Sequence, residues 1–233
     1  MRPFTAPALL LAAVLSACAG AGPTTTPAPV APTAGAVSSP QWAEDMARFA
    51  AEDARNPPPA HPIVFTGSSS VRMWQTLAED FPDRPVLNRG FGGSQLRDAT
   101  WYADEVATRY RPRQVMLYAG DNDIDAGRPP QRVLADFRAF VARIRRDLPR
   151  VPIAYIAIKP SPARFDQLPA QREANALVKA EAARMDGVDF IDVATPMLDA
   201  DGRPRAELFG DDHLHMNARG YALWREIVAP YLR

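Results

Sequence analysis

The sequence predicts a three-layer α/β/α sandwich around a five-stranded parallel sheet, and three observations carry that expectation. Short apolar runs alternate along the chain with stretches whose large apolar residues recur at helical spacing. The runs are continuously apolar instead of alternating with polar residues, as strands covered on both faces require. Helical stripes separate the runs, and a helix is the usual connection between parallel neighbours.

The elements follow in order. Trp42, Met46, Phe49 and Ala50 mark a first helix. Ile63-Val64-Phe65 is the first strand, and it ends at Gly67 and a serine cluster. Val71, Trp74, Leu77 and Phe81 form the next helical stripe, and residues 85–88 a second strand. Residues 115–118 give the third strand, closed by Gly120. A long amphipathic helix follows Pro129-Pro130, with Val133, Phe137, Phe140, Val141, Ile144 and Leu148 on one face. Residues 153–158 are the fourth strand. Ala174, Leu177, Val178, Ala182 and Met185 mark a helix, and residues 188–193 are the fifth strand. Tyr221, Trp224, Ile227, Val228 and Tyr231 close the chain as a helix with Asn217 as its N-cap.

The 233 residues carry 27 basic and 27 acidic side chains, so no basic excess exists to neutralise nucleic-acid phosphates. Lysine stands only at 159 and 179; the other cations are Arg. The single cysteine, Cys18, excludes an intrachain disulfide.

The N-terminus reads as an address. Arg2 is a minimal positive region, and Leu9 to Leu15 form an apolar run too short to span a bilayer. Residues 1–17 are therefore expected to be a signal peptide. Leu15-Ser16-Ala17-Cys18 resembles the lipobox of bacterial lipoproteins, which implies lipidation of Cys18 and an exported, membrane-anchored protein of the cell envelope, on the outer membrane or its periplasmic face. Cleavage as an ordinary small-x-small signal, leaving a soluble periplasmic or secreted protein, is the alternative. Residues 18–40 are small, uncharged and Pro/Thr/Ala-rich, a linker composition. Residues 41–233 are the folded domain.

Ligands of open parallel sheets bind beyond the carboxyl ends of the strands. There the chain places Gly67-Ser68-Ser69-Ser70, Asn88-Arg89-Gly90-Phe91-Gly92-Gly93 and Gly120-Asp121-Asn122-Asp123, with Asp211-Asp212-His213-Leu214-His215 after the fifth strand. A hydroxyl, a glycine-rich backbone, an amide and a carboxylate–imidazole pair are the parts of acyl transfer.

These four blocks, in this order over residues 60–233, resemble the SGNH (GDSL-type) hydrolases. The resemblance implies a flavodoxin-like fold and a serine esterase that needs no cofactor or metal. It makes Ser69 the nucleophile, although Ser68 replaces the family's Asp and leaves Ser68 and Ser70 as alternatives. It makes Asp212 and His215 the rest of the triad, with His213 as rival base. The oxyanion donors would be the Ser69 and Gly93 backbone N–H groups and the Asn122 amide. Ser94 stands where the family usually has Asp or Glu. Asp121, Asp123 and Asp125 also mimic the start of a calcium loop, but Ala126 and Arg132 occupy its Gly and Glu positions.

Lys159 and Arg164, after the fourth strand, are the candidate substrate contacts, with a role in capping the sheet as the alternative. The expected substrate is a short-chain, acetyl-like ester of a carbohydrate or another envelope compound. Lysophospholipids and thioesters, also hydrolysed within the family, are the alternative. A non-catalytic envelope binding protein on the same fold is a further one, since fold alone does not fix function.

Overall fold

The computed structural model describes residues 1, 3 and 40–233, and every element below belongs to the unit Pro32–Arg233. The expected signal peptide, Cys18 and all but the end of the linker lie outside the described residues. The elements run α1 (Ala43–Arg55), β1 (Ile63–Gly67), α2 (Ser69–Arg72), α3 (Leu77–Asp80), β2 (Val86–Gly90), α4 (Leu96–Trp101), α5 (Ala103–Val106), β3 (Gln114–Tyr118), α6 (Asp121–Asp125), α7 (Pro130–Asp147), β4 (Ile153–Ile156), α8 (Leu168–Ala182), β5 (Val188–Ile191) and α9 (Ala218–Val228).

The sheet is the expected five-stranded parallel one, in the order β2-β1-β3-β4-β5. The chain steps from β1 to β2 and then returns past β1 to β3. That reversal opens a crevice at the carboxyl ends of β1 and β3, where such sheets bind ligands. Both faces are covered. Val64, Val115, Leu117, Ile153 and Tyr155 pack with α4, α5, α7 and α8. Ile63, Phe65, Met116, Tyr118 and Ile156 pack with α2, α3 and α9. Residues adjacent in a strand thus enter opposite cores, which is why the runs are continuously apolar.

Three local expectations are corrected. The stripe from Val71 to Phe81 is two short helices, not one. The Asn88 amide, reaching from β2, donates to the carbonyls of Val71 (2.7 Å) and Trp74 (3.4 Å). Trp74 Nε1 turns to Asp80 at 2.7 Å. The stripe still reaches the core, with Trp74 packed edge-on to Phe65, Phe81 and Trp224. The stretches after β2 and β3 are helical at α4, α5 and α6, where the sequence marked no element. These helices are too short to show periodicity. The fourth and fifth strands end two residues early, at Ile156 and Ile191, although Ala157, Ile158 and Val193 remain buried. Asn217 caps α9 as expected, accepting from the Arg219 and Gly220 N–H groups.

Candidate active site

The serine cluster occupies a turn that glycine makes possible. Gly67 has φ +116°, and a Cβ there would lie 1.8 Å from the Tyr118 carbonyl oxygen. No other residue could end β1 so close to β3. Ser68 N–H then donates to the Tyr118 carbonyl at 2.8 Å, and the chain enters α2 at Ser69. The turn sorts the three serines. Ser68 is 0% exposed and Ser70 1%, while Ser69 retains 9% and borders the cleft. The Ser68 hydroxyl faces Asp121 Oδ1 at 3.4 Å.

The histidine arrives on a loop tied at both ends. Gly210 N–H donates to the His215 carbonyl at 2.9 Å, and Phe209 bridges Met216. Asn217, besides capping α9, donates its side-chain N–H to the Phe209 carbonyl at 2.8 Å. Within the loop Asp212 Oδ1 accepts from the N–H groups of Leu214 (3.0 Å) and His215 (2.9 Å). This is a local side-chain turn that fixes the carboxylate. Asp212 Oδ2 lies 2.6 Å from His215 Nδ1, and His215 Nε2 lies 2.9 Å from Ser69 Oγ. The bond to the His215 ring, followed by those to the two N–H groups, holds the Asp212 carboxyl well below the usual carboxylate range. An ionised carboxylate has no proton to give, so Nδ1 carries the hydrogen and Nε2 is left as acceptor toward the hydroxyl.

His213 is exposed, has φ +55° and engages neighbouring backbone through its own main chain. His61 lies at the amino end of β1, where its Nδ1 meets the Arg111 carbonyl at 3.0 Å. Neither belongs to the Ser69–His215–Asp212 row.

Across the cleft stand Gly93, at φ +79°, and Asn122 on the first turn of α6. Among the described residues the Ser69 and Gly93 N–H groups have no acceptor. Asn122 Nδ2 gives one hydrogen to the Ser94 carbonyl at 3.0 Å. Its Oδ1 accepts from both terminal nitrogens of Arg164, each at 3.2 Å. A guanidinium cannot accept, so this pairing fixes which end of the amide is oxygen. The second amide hydrogen is unassigned.

The structure places Lys159 and Arg164, the two expected substrate contacts, differently. Lys159 is 2% exposed, and its ammonium donates to the Leu214 carbonyl at 2.7 Å, beneath the histidine loop. Burial pushes it down to about 8 against the pull of Asp121 and Asp212. It braces the histidine loop from beneath. Arg164 borders the cleft, but its guanidinium is held by Asn122, by Asp125 at 3.0 Å and by Asp121 at 3.5 Å. The three aspartates of α6 diverge. Asp121 faces Ser68 and Arg164, and Asp125 meets Arg164 and Gln167. Buried Asp123 accepts from the Leu96 N–H at 3.1 Å and sits 3.3 Å from Arg128.

Together these groups enclose an open cleft of about 420 Å³ lined by Asp45, Ser69, Arg72, Gly92, Gly93, Asn122, Arg164, Leu214 and His215. Sequence reasoning passed over Asp45 and Arg72. Arg72 follows Ser69 by three residues, one helical turn, and that spacing was the available signal.

Residues 16–223 match the sequence profile of the GDSL-like lipase/acylhydrolase family. No curated protein sequence matches the chain. Several solved structures share the fold. One from Streptococcus pneumonia, provisionally named a platelet activating factor, superposes with a TM-score of 0.73 at 22% identity, over 82% of this chain and 92% of that one. A GDSL-like lipase from Bacteroides thetaiotaomicron gives 0.68 at 18% identity, over 80% and 96%. A carbohydrate esterase of family 3 from Talaromyces cellulolyticus gives 0.60 at 16% identity, over 73% and 95%.

Proposed function

The chain belongs to the GDSL-like lipase/acylhydrolase family, and from that premise we propose that it hydrolyses short-chain esters through an acyl-enzyme on Ser69. That it is an ester hydrolase follows from the family, which sets aside the non-catalytic binding protein. The observation that carries the assignment to residues is the row from Asp212 through His215 to Ser69 Oγ, at 2.6 and 2.9 Å. In this reading His215 Nε2 takes the Ser69 proton as Oγ attacks the carbonyl carbon. Asp212, held ionised, stabilises the resulting imidazolium. The Ser69 and Gly93 N–H groups and the second Asn122 hydrogen receive the developing oxyanion. His215 then protonates the leaving alcohol, and a water molecule activated by the same imidazole releases the acid.

The lining supports a small acyl group. Among the described cleft residues Leu214 is the one large apolar side chain. A wall of glycine, amide and charge offers little to a hydrocarbon tail. The likeness to a carbohydrate esterase is one of fold; it suggests acetylated glycans as the first natural substrates to try, with other envelope esters beside them.

A series of 4-nitrophenyl esters from acetyl to octanoyl tests the acyl preference. An apolar tunnel would gain about 0.8 kcal/mol per buried methylene, so its kcat/KM would climb along the series. Here kcat/KM should be as high at acetyl or propionyl as anywhere in the series and should not climb toward octanoyl, in the absence of that gain. A rise with chain length would favour the lysophospholipase or thioesterase alternative. Acetate release from acetylated glycans would then locate the alcohol.

We also propose that the enzyme works tethered to an envelope membrane, on the strength of Leu15-Ser16-Ala17-Cys18 and the uncharged stretch after it. Triacylation would exceed the two signals that stable anchoring needs. Cys18→Ala should move the protein from the membrane to the soluble fraction at unchanged specific activity. A variant that still sediments with membranes would overturn the anchor.

A further inference from the structure

Arg72 is the cation of the cleft that the catalytic reading leaves unused. It is exposed and borders the same cavity as Ser69, Gly93, Asn122 and His215. Among the described residues no carboxylate lies within ion-pair distance of it, and its side chain makes no hydrogen bond. The acids that share its surroundings are committed elsewhere. Asp45 pairs with Arg48 at 2.7 Å, and Glu52 pairs with the same guanidinium at 3.1 Å. Arg164, the other cleft arginine, is paired with Asp121 and Asp125.

A second observation places this guanidinium against the glycine-rich loop. A Cβ on Gly92 would lie 2.7 Å from Arg72 Nε and 3.2 Å from its Cζ and Nη2. Unlike Gly93, Gly92 is not among the residues with positive φ. A Cβ there would meet the flexible end of Arg72, which would have to shift aside. The Arg72 guanidinium thus lies against the oxyanion loop, one helical turn from the nucleophile, with its donors unpaired.

Resting on the esterase reading, we propose that Arg72 is a specificity-determining residue that selects esters bearing a carboxylate or phosphate close to the scissile carbonyl. A guanidinium presents two parallel N–H groups to such an anion in a planar fork. The anion can belong to the acyl part or to the alcohol, and the same contact would serve either.

Three esters separate these cases: 4-nitrophenyl acetate (neutral), mono-4-nitrophenyl succinate (anionic acyl group) and 4-acetoxybenzoate (anionic alcohol). The readout is the ratio of kcat/KM for each anionic ester to that for the neutral one. Because it is a ratio within one preparation, it does not respond to a lower fraction of folded enzyme. In the wild type one ratio should exceed the corresponding ratio of Arg72→Met by about 10- to 100-fold, the usual weight of a charge-assisted contact. Arg72→Lys should retain part of it, and Gly92→Ala, by displacing the guanidinium, should lower it. The wild-type ratio should also shrink as salt is raised. Whichever anionic ester shows the effect names the side that carries the anion. Hydrolysis of the neutral ester with both ratios unmoved by Arg72→Met would overturn the proposal and leave the esterase reading standing. Failure of the wild type on all three esters would overturn that reading and this proposal with it.

Discussion

Ser69→Ala is expected to lower kcat for ester hydrolysis by about 10⁴- to 10⁶-fold, the cost of removing one member of a nucleophilic triad. The hydroxyl that would be lost is the one 2.9 Å from His215 Nε2. Its neighbours cannot substitute for it. Ser68 and Ser70 are buried, at 0% and 1% exposure, and the Ser68 hydroxyl faces Asp121. His215→Ala should cost about as much, because without a base the Ser69 proton has nowhere to go at the moment of attack. The double variant should be no worse than either single one, since residues acting as a unit are strongly non-additive. The substitution at Ser69 removes one oxygen at the cleft edge, so the thermal midpoint should stay close to wild type. A fluorophosphonate should label one site, and peptide mapping should place it on Ser69. Label on Ser68 or Ser70, or a Ser69→Ala enzyme with near-wild-type kcat, would reject the assignment.

The parts of this site that the sequence made legible were those fixed by short range. Gly67, Ser69, Gly93 and Asn122 each follow a strand within a few residues, so finding the strands placed them on one rim. Asp212 and His215 are three apart in a turn, and their pairing is local. What the sequence left hidden depends on long-range geometry. Lys159 sits directly after the fourth strand, as a rim residue should, yet its ammonium turns under the loop to meet Leu214, 55 residues away. Arg164 was a candidate substrate contact, and nothing near it in sequence shows that α6 brings two aspartates and the Asn122 oxygen against it. The helix α6 was itself invisible, because Asp121–Asp125 has one large apolar residue, Ile124, and no stripe can be drawn through one point. The break between α2 and α3 has the same character. The residue that terminates α2 is Asn88, on a neighbouring strand, and no window along residues 71–81 contains it.

Asn122→Ala is expected to lower kcat by about 10²- to 10³-fold, with little change in KM, because an oxyanion donor strengthens chiefly as charge develops on the substrate oxygen. The geometry around the amide says why one side chain should matter that much. Its oxygen is held by two Arg164 nitrogens and one of its hydrogens by the Ser94 carbonyl, so the direction of the remaining hydrogen is set before substrate arrives. Preorganised dipoles of this kind need no reorientation at the moment of reaction. Asn122→Asp separates this role from that of a spacer. Asp matches Asn in size and could still pair with Arg164, so a purely structural position should tolerate it better than Ala. It has no hydrogen to offer the oxyanion and places a negative charge beside it, so an oxyanion position should find it at least as damaging as Ala. The same block of sequence admits a metal reading through Asp121, Asp123 and Asp125. In the fold all three carboxylates are taken up by protein groups, with Arg164 shared by Asp121 and Asp125, and Arg128 and the Leu96 N–H on Asp123. Wild-type activity should therefore survive a chelator, while both Asn122 variants remain slow with or without added calcium. Activity lost to chelator and restored by calcium, or an Asn122→Asp enzyme faster than Asn122→Ala, would show that this loop acts through something other than the amide hydrogen.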